Sequence, residues 1–368
     1  MKQFNYLIAF SAILFFLILP VLRLYSINTV PYILPLQVKE IYTPVESVAF
    51  LSLYGIIFIL SWHLIGLTIN SLNLKKLPRL GYSYSALNTT IVTLFTLLFM
   101  VLYKLSEIDN AIANVLFSGF ALWIIANLDF SGFAKAFQIF KVLLAVTSTG
   151  RGLVATWIFS KAVQSSVLAK FLLALFLCAF MLLLDFLRNG VEFADLIKEI
   201  KWSNFAYLTY SFPFIDQFDG IYNFYRDSEK RSLIDVFSKL WFLIPREVCS
   251  CKPAIYGNEM YYTYEVFGLD PKIATLAITS AGVAFSYLGY YGLFLGPIID
   301  VCVLLFSYFT IIWVFPPKKV EIRHFLMTYF LIKLFRNGTE FFFTSFPIML
   351  LVCLFLNLLT QIHQFNRQ

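Results

Sequence analysis

Four arginines and a lysine carry the chemistry most plainly written in this sequence: Arg151, Arg188, Arg246 and Arg336, with Lys252 close behind the third. A guanidinium is planar, stays charged when partly desolvated and binds two phosphate oxygens at once, so several at the tips of different helices can cradle a pyrophosphate. Three of the arginines share a local pattern. Arg151 stands in Ser148-Thr149-Gly150-Arg151-Gly152, Arg188 in Arg188-Asn189-Gly190, and Arg336 in Arg336-Asn337-Gly338. Each joins an apolar run to a turn where glycine permits close backbone approach. Arg246 follows Pro245 and Lys252 precedes Pro253, so both are set beside fixed backbone. Any one such arginine ordinarily snorkels to lipid headgroups or pairs with a nearby acid. Several together ask for an anionic ligand.

Any hydroxyl nucleophile acting at such an anion-binding site would need a base, or would lose its proton late to solvent. The carboxylates to weigh are Asp216, Asp219, Glu247, Glu259 and Glu265, with Asp219 and Glu247 the preferred candidates. Solvated loop charge is the ordinary reading for each. His63, His324 and His363 fall on the opposite, inner side of the expected topology, and the outer side has no Asp-x-Asp pair, so a metal-free site without a cofactor is expected. Asp185 and Asp300 lie within apolar runs, where pairing with Lys161 or Lys333, or a structural hydrogen bond, is the expected role. Cys178, Cys302 and Cys353 read as small buried thiols. Cys249 and Cys251, two apart, read as too close for an unstrained disulfide and lack the neighbours for a zinc shell.

The elements that must hold these residues are written in the composition. Of 368 residues, 60% are hydrophobic and 13% charged, and the mean hydropathy is +0.79. Apolar runs at 4–25, 46–69, 88–105, 110–128, 134–148, 152–167, 168–187, 284–315, 324–335 and 341–362 predict an all-α polytopic membrane protein of about ten spans. The first run has no small-residue cleavage site and reads as an uncleaved span. Lys75, Lys76 and Arg79, then Lys135 and Lys141, then Lys318, Lys319 and Arg323 fall on one side if both termini are cytoplasmic. That topology sends one long connection, 188–280, to the outer face between spans seven and eight. Within it 191–201 and 229–243 read as amphipathic helices on or near the membrane surface, the second through Leu233, Val236, Phe237, Leu240 and Trp241 at helical spacing. No repeat divides the chain, so 1–368 reads as one integral membrane domain. The net charge of +7 is met by basic loops, without nucleic acid as a partner.

From about Ala145 to Leu350 the sequence resembles the Wzy-type O-antigen polymerases. The resemblance is carried by Thr149-Gly150-Arg151-Gly152, by Phe218-Asp219-Gly220-Ile221 with the basic stretch from Arg226 to Arg231, and by Ile244-Pro245-Arg246 followed by Lys252-Pro253. Tyr287-Leu288-Gly289-Tyr290-Tyr291-Gly292 and Arg336-Asn337-Gly338 complete it in the family's order. Two positions depart: Val248-Cys249-Ser250-Cys251 stands where the family often has tryptophan, and Val283 near where an acid is common. The resemblance implies a GT-C-like glycosyltransferase of the bacterial inner membrane with its active site facing the periplasm. Its donor and acceptor would be undecaprenyl-pyrophosphate-linked oligosaccharides, and its further partners the lipid bilayer and a protein regulating chain length. Arg151, Arg246 and Arg336 would hold pyrophosphate, with Arg188 and Lys252 supporting. An O-antigen ligase shares the architecture but uses an outer-loop histidine, which this chain lacks. A lipid-linked oligosaccharide flippase, the alternative of another class, is expected to show internal repeats and short loops.

Overall fold

The computed structural model describes residues 2–26, 44–71, 214–244, 249–271, 278–314 and 320–365, with isolated helical positions between 94 and 123. Helices α1 (Lys2–Ile13) and α2 (Leu19–Ser26) are joined through a π-helical segment, Leu14–Ile18; α3 is Pro44–Ser71 and α4 Phe214–Arg226. A 3-10 helix, Leu233–Leu243, leads to α5 (Asn258–Glu265) and α6 (Ser280–Leu288), and α6 turns through Gly289–Tyr291 into α7 (Gly292–Val314). The chain continues as α8 (Val320–Asn337) and α9 (Glu340–Phe365). No strand occurs among the described residues.

Among the described residues, four helical stretches are long and apolar enough to cross a membrane: Tyr6–Leu24, Val45–Leu67, Ser280–Val314 and Glu340–Leu359. They coincide with the runs expected at 4–25, 46–69, 284–315 and 341–362, because uninterrupted apolar sequence leaves the backbone no partner but itself in lipid. The run at 324–335 is helical within α8 but is not among the four. The runs at 134–148, 152–167 and 168–187, the amphipathic segment 191–201 and most of 88–105 and 110–128 lie outside the described residues.

The chain divides into two compact units: Met1–Asn73 with Ala162–Leu304 and Leu331–Glu340, and Leu74–Lys161 with Leu305–Phe330 and Phe341–Gln368. In the first, the α1–α2 rod packs on α3, and Phe16 lies 5.3 Å from Tyr54 between ring centres. Phe335 of α8 meets Phe16 edge-on at 4.7 Å and Phe58 at 5.1 Å. Helix α4 fits between α3 and α6 through Phe50, Phe218, Tyr222 and Phe285, with centroids 4.9–5.4 Å apart along Phe218–Phe50, Phe50–Phe285 and Tyr222–Phe285. Tilted and edge-on pairs of this kind add about 0.5–1.5 kcal/mol each beyond the area they bury. Thr279 caps α6, its hydroxyl accepting from the Gly282 amide at 2.9 Å.

In the second unit, Phe330 packs against Phe341, Phe342 and Phe346. The buried Trp123 donates through Nε1 to Asn357 Oδ1 at 2.9 Å, so both polar groups enter the interior satisfied.

Candidate functional site

Helix α8 delivers Arg336 to the site. Its C-terminus is set by Gly338, whose φ of 69° is the left-handed conformation that ends a helix cheaply only with glycine, and whose amide donates to Leu334 O at 2.8 Å. The Arg336-Asn337-Gly338 motif is thus a helix cap that leaves Arg336 exposed on the last turn, at the negative end of the helix.

Residues from the 188–280 connection close over this cap. Asn337 donates through Nδ2 to Glu259 Oε1, and Lys239 Nζ lies 3.1 Å from Glu259 Oε2. Burial by itself would push the Glu259 carboxyl up. The charge and hydrogen bond of Lys239, together with the charges of Lys333 and Arg336, outweigh it and hold the carboxyl below its ordinary value of 4.5. Lys239 moves in the complementary direction: burial would lower it, and Glu259 with Glu340 raises it. Glu340 itself accepts from the Asn258 amide at 2.9 and 3.0 Å, placing a carboxylate at the positive end of α5. Gly257 makes that approach possible, with φ of 77° and room for no side chain: a Cβ there would stand 2.8 Å from Glu340 Oε1 and against the Lys239 stem.

Arg231 extends the cluster. Its Nη1 donates to Asn258 Oδ1 at 2.7 Å, and its guanidinium carbon lies 3.9 Å from the Tyr261 ring centre and 5.1 Å from that of Tyr287. Tyr287 also donates to Asn258 Oδ1, at 2.7 Å. Burial pushes the neighbouring Tyr262 phenol up to about 12, so it stays a neutral donor toward Ser286. Arg231, Lys239, Lys333 and Arg336 therefore surround Glu259, Glu340 and Asp235 with one cation in excess, and the exposed member is Arg336. The excess cation, Arg336, is the one an anion could reach, and its charge opposes the negative end of the α8 dipole.

Other expected site residues fall elsewhere. Lys252 donates to Ile244 O at 2.9 Å and stands 4.7 Å above the Tyr256 ring, tying the two ends of the 244–252 segment together. Arg151, Arg188, Arg246 and Glu247 lie outside the described residues. Asp219 is buried on α4 and accepts from Ser47 of α3. Three loop carboxylates expected to be solvated are not. Asp216 and Asp219 are buried and Glu259 is half-buried, because each has a partner on another element. Glu265 is exposed as expected.

Asp216 forms a two-pronged pair with Arg23 of α2, at 3.0 Å to Nε and 2.8 Å to Nη2, with both side chains 1% exposed. Burial raises the Asp216 carboxyl, and Arg23 offsets part of that rise. Arg23 thus acts as an internal tie between α2 and α4. Asp300 accepts from Tyr54 OH at 2.7 Å, the structural hydrogen bond expected of an acid within a span. A disulfide joins Cys249 and Cys251, contrary to the expectation from their spacing. The turn closed by Lys252 N to Cys249 O carries the two Cα atoms to 5.1 Å, within the usual disulfide range.

Only a faint local signal marks the acidic centre. Gly257-Asn258-Glu259 ahead of an aromatic run has the residue types of a helix start, but nothing local links Glu259 to Lys239 or Asn337.

The ion pair carries a pH signature. A carboxyl lowered by folding stabilises above its unfolded value and loses that contribution as pH falls through the folded one. Hydrogen exchange of α5 amides, corrected for intrinsic rate, is expected to lose protection as pH drops below 4.5. Glu259→Gln should be less protected at neutral pH and flatter over that window. Parallel acid profiles for the two proteins would refute the role given to Lys239 and Glu259.

Against known proteins, this chain matches no family model, no curated protein and no solved structure, so its own residues carry the functional argument.

Proposed function

We propose that the chain is a multi-pass, GT-C-like glycosyltransferase of the bacterial inner membrane. It polymerises undecaprenyl-pyrophosphate-linked repeat units into O-antigen or a related surface polysaccharide on the periplasmic face. In each cycle an oxygen at the non-reducing end of the incoming unit bonds to the anomeric carbon of the growing glycan. The bond from that carbon to the carrier pyrophosphate breaks, and the hydroxyl proton passes to a carboxylate, Asp219 or Glu247, or to solvent. Negative charge grows on the departing pyrophosphate, where Arg151, Arg246 and Arg336, supported by Arg188 and Lys252, stabilise it.

The observation that carries this reading is the junction at Asn337. The late arginine motif is hydrogen-bonded through Asn337 to Glu259 of the long connection, and Lys239 grips the same carboxylate. The late arginine motif and the long connection, far apart in sequence, thereby share one cation-rich surface. The apolar helices that cross a membrane fit a lipid-linked substrate.

The test is reconstitution of the purified chain alone, in proteoliposomes carrying lipid-linked repeat units on the accessible leaflet. The expected product is a ladder of longer glycans still attached to undecaprenyl pyrophosphate. Transfer of units between leaflets without elongation would replace this reading with a flippase, and transfer to a lipid A core acceptor would replace it with a ligase.

A further inference from the structure

The segment expected to be an amphipathic α-helix is wound instead as a 3-10 helix across Leu233–Leu243. The change of period decides which side chains share a face. At three residues per turn, positions three apart eclipse one another, so the helix carries three straight rows. Two rows make the contacts with the protein, apart from Leu233 at the start of one of them, which is 61% exposed. Asp235 pairs with Arg231 at 3.7 Å and Ser238 Oγ accepts from the Gly257 amide at 3.0 Å, while Lys239 pairs with Glu259. Val236 and Trp241, expected on the apolar face, turn partly inward. The third row is Ile234, Phe237 and Leu240, which are 74%, 53% and 37% exposed. It forms an apolar edge about 12 Å long, at ~2 Å of rise per residue.

Such an edge would be costly in water, and its position says what covers it. The Arg231 amide donates to Ser286 O at 3.0 Å, fixing the start of the 3-10 helix to the elbow between α6 and α7. Ile234 is three residues from that bond, at most about 10 Å along the chain. The elbow exposes Tyr290 and Tyr291, and the α7 stretch that follows exposes Phe294, Leu295 and Ile298. Exposed tyrosines followed by exposed aliphatic side chains along a spanning helix mark the passage from headgroups to hydrocarbon. The apolar edge is therefore tethered at the level where that lipid-facing surface begins.

We infer that Ile234, Phe237 and Leu240 insert into the bilayer interface, so that the 3-10 helix lies on the membrane with its charged rows holding α5 above it. The bilayer is the partner, through its acyl-chain boundary. This inference is independent of the glycosyltransferase reading and stands or falls by a different measurement.

The experiment places a benzophenone amino acid at 234, 237 or 240 of the full chain in nanodiscs of phosphatidylethanolamine and phosphatidylglycerol, and identifies adducts by mass spectrometry. Leu60, exposed on the α3 span, and Glu229, exposed on the polar segment before the helix, are the reference positions. Lipid adducts at the three sites are expected to approach those at Leu60 and to exceed those at Glu229 by about fivefold or more, as for an interfacial apolar face. Adducts to another segment of the chain or to a second copy would overturn the inference, and so would lipid yields no higher than at Glu229.

Discussion

Arg336→Gln is expected to reduce polymer formation by roughly 10²- to 10³-fold, the range for removing one preorganised group that stabilises a developing anion, while the chain persists in the membrane at its usual level. The arginine is exposed on the last turn of α8, so its side chain adds little to packing. Its capping neighbour Gly338 and its bridging neighbour Asn337 stay in place in the variant. Arg336→Lys should recover part of the activity, because an ammonium keeps the charge but loses the two-pronged grip on phosphate. Arg151→Gln and Arg246→Gln are expected to match Arg336→Gln if all three hold the same diphosphate. The measurement is the glycan ladder set against immunoblotted protein. Wild-type ladders from all three variants would end the assignment, and loss of the protein band would mean that the arginine supports folding instead.

The largest effect on stability is expected at the buried pair of Arg23 and Asp216. Asp216→Ala leaves the Arg23 guanidinium buried without its two-pronged partner, a change that costs about 3–5 kcal/mol in comparable sites. Both groups are 1% exposed, so water cannot substitute for the missing carboxylate. The double variant Arg23→Met with Asp216→Leu should regain most of the loss, because it removes the charge together with its need for a partner. Thermal melting in detergent, followed by the monodisperse fraction on size exclusion, reads both variants. An Asp216→Ala melt within a degree or two of wild type would show that the packing of Phe218 and Tyr222 against Phe50 and Phe285, and not the ion pair, fastens α4.

The arginine motif illustrates how far residue types carry. Arg336-Asn337-Gly338 could be read as a helix end bearing an exposed guanidinium, since glycine after a polar pair is a local stop signal. That Asn337 reaches Glu259 could not be read, because 78 residues separate them and no periodicity relates them. Arg23 and Asp216, 193 residues apart, make the same point in reverse. Asp216 read as a solvated loop charge, and it is buried because Arg23 is there to pair with it. The 3-10 winding was hidden for a related reason. Leu233, Val236, Phe237, Leu240 and Trp241 suit an α-helix well, and the tighter winding matches the places where Arg231, Gly257 and Glu259 meet the helix from elsewhere in the fold.

What the sequence alone determined is a helical chain of membrane-protein character, and where, among the described residues, four helices are long and apolar enough to cross a bilayer, because transfer from water to lipid is a sum over neighbouring residues and needs no knowledge of the fold. What only the tertiary structure decided is which charges stay exposed, as Arg336 does, and which are fastenings, as Arg23 and Asp216 are. That distinction depends on distance and burial between segments far apart in the chain, and a charged residue carries neither in its own identity.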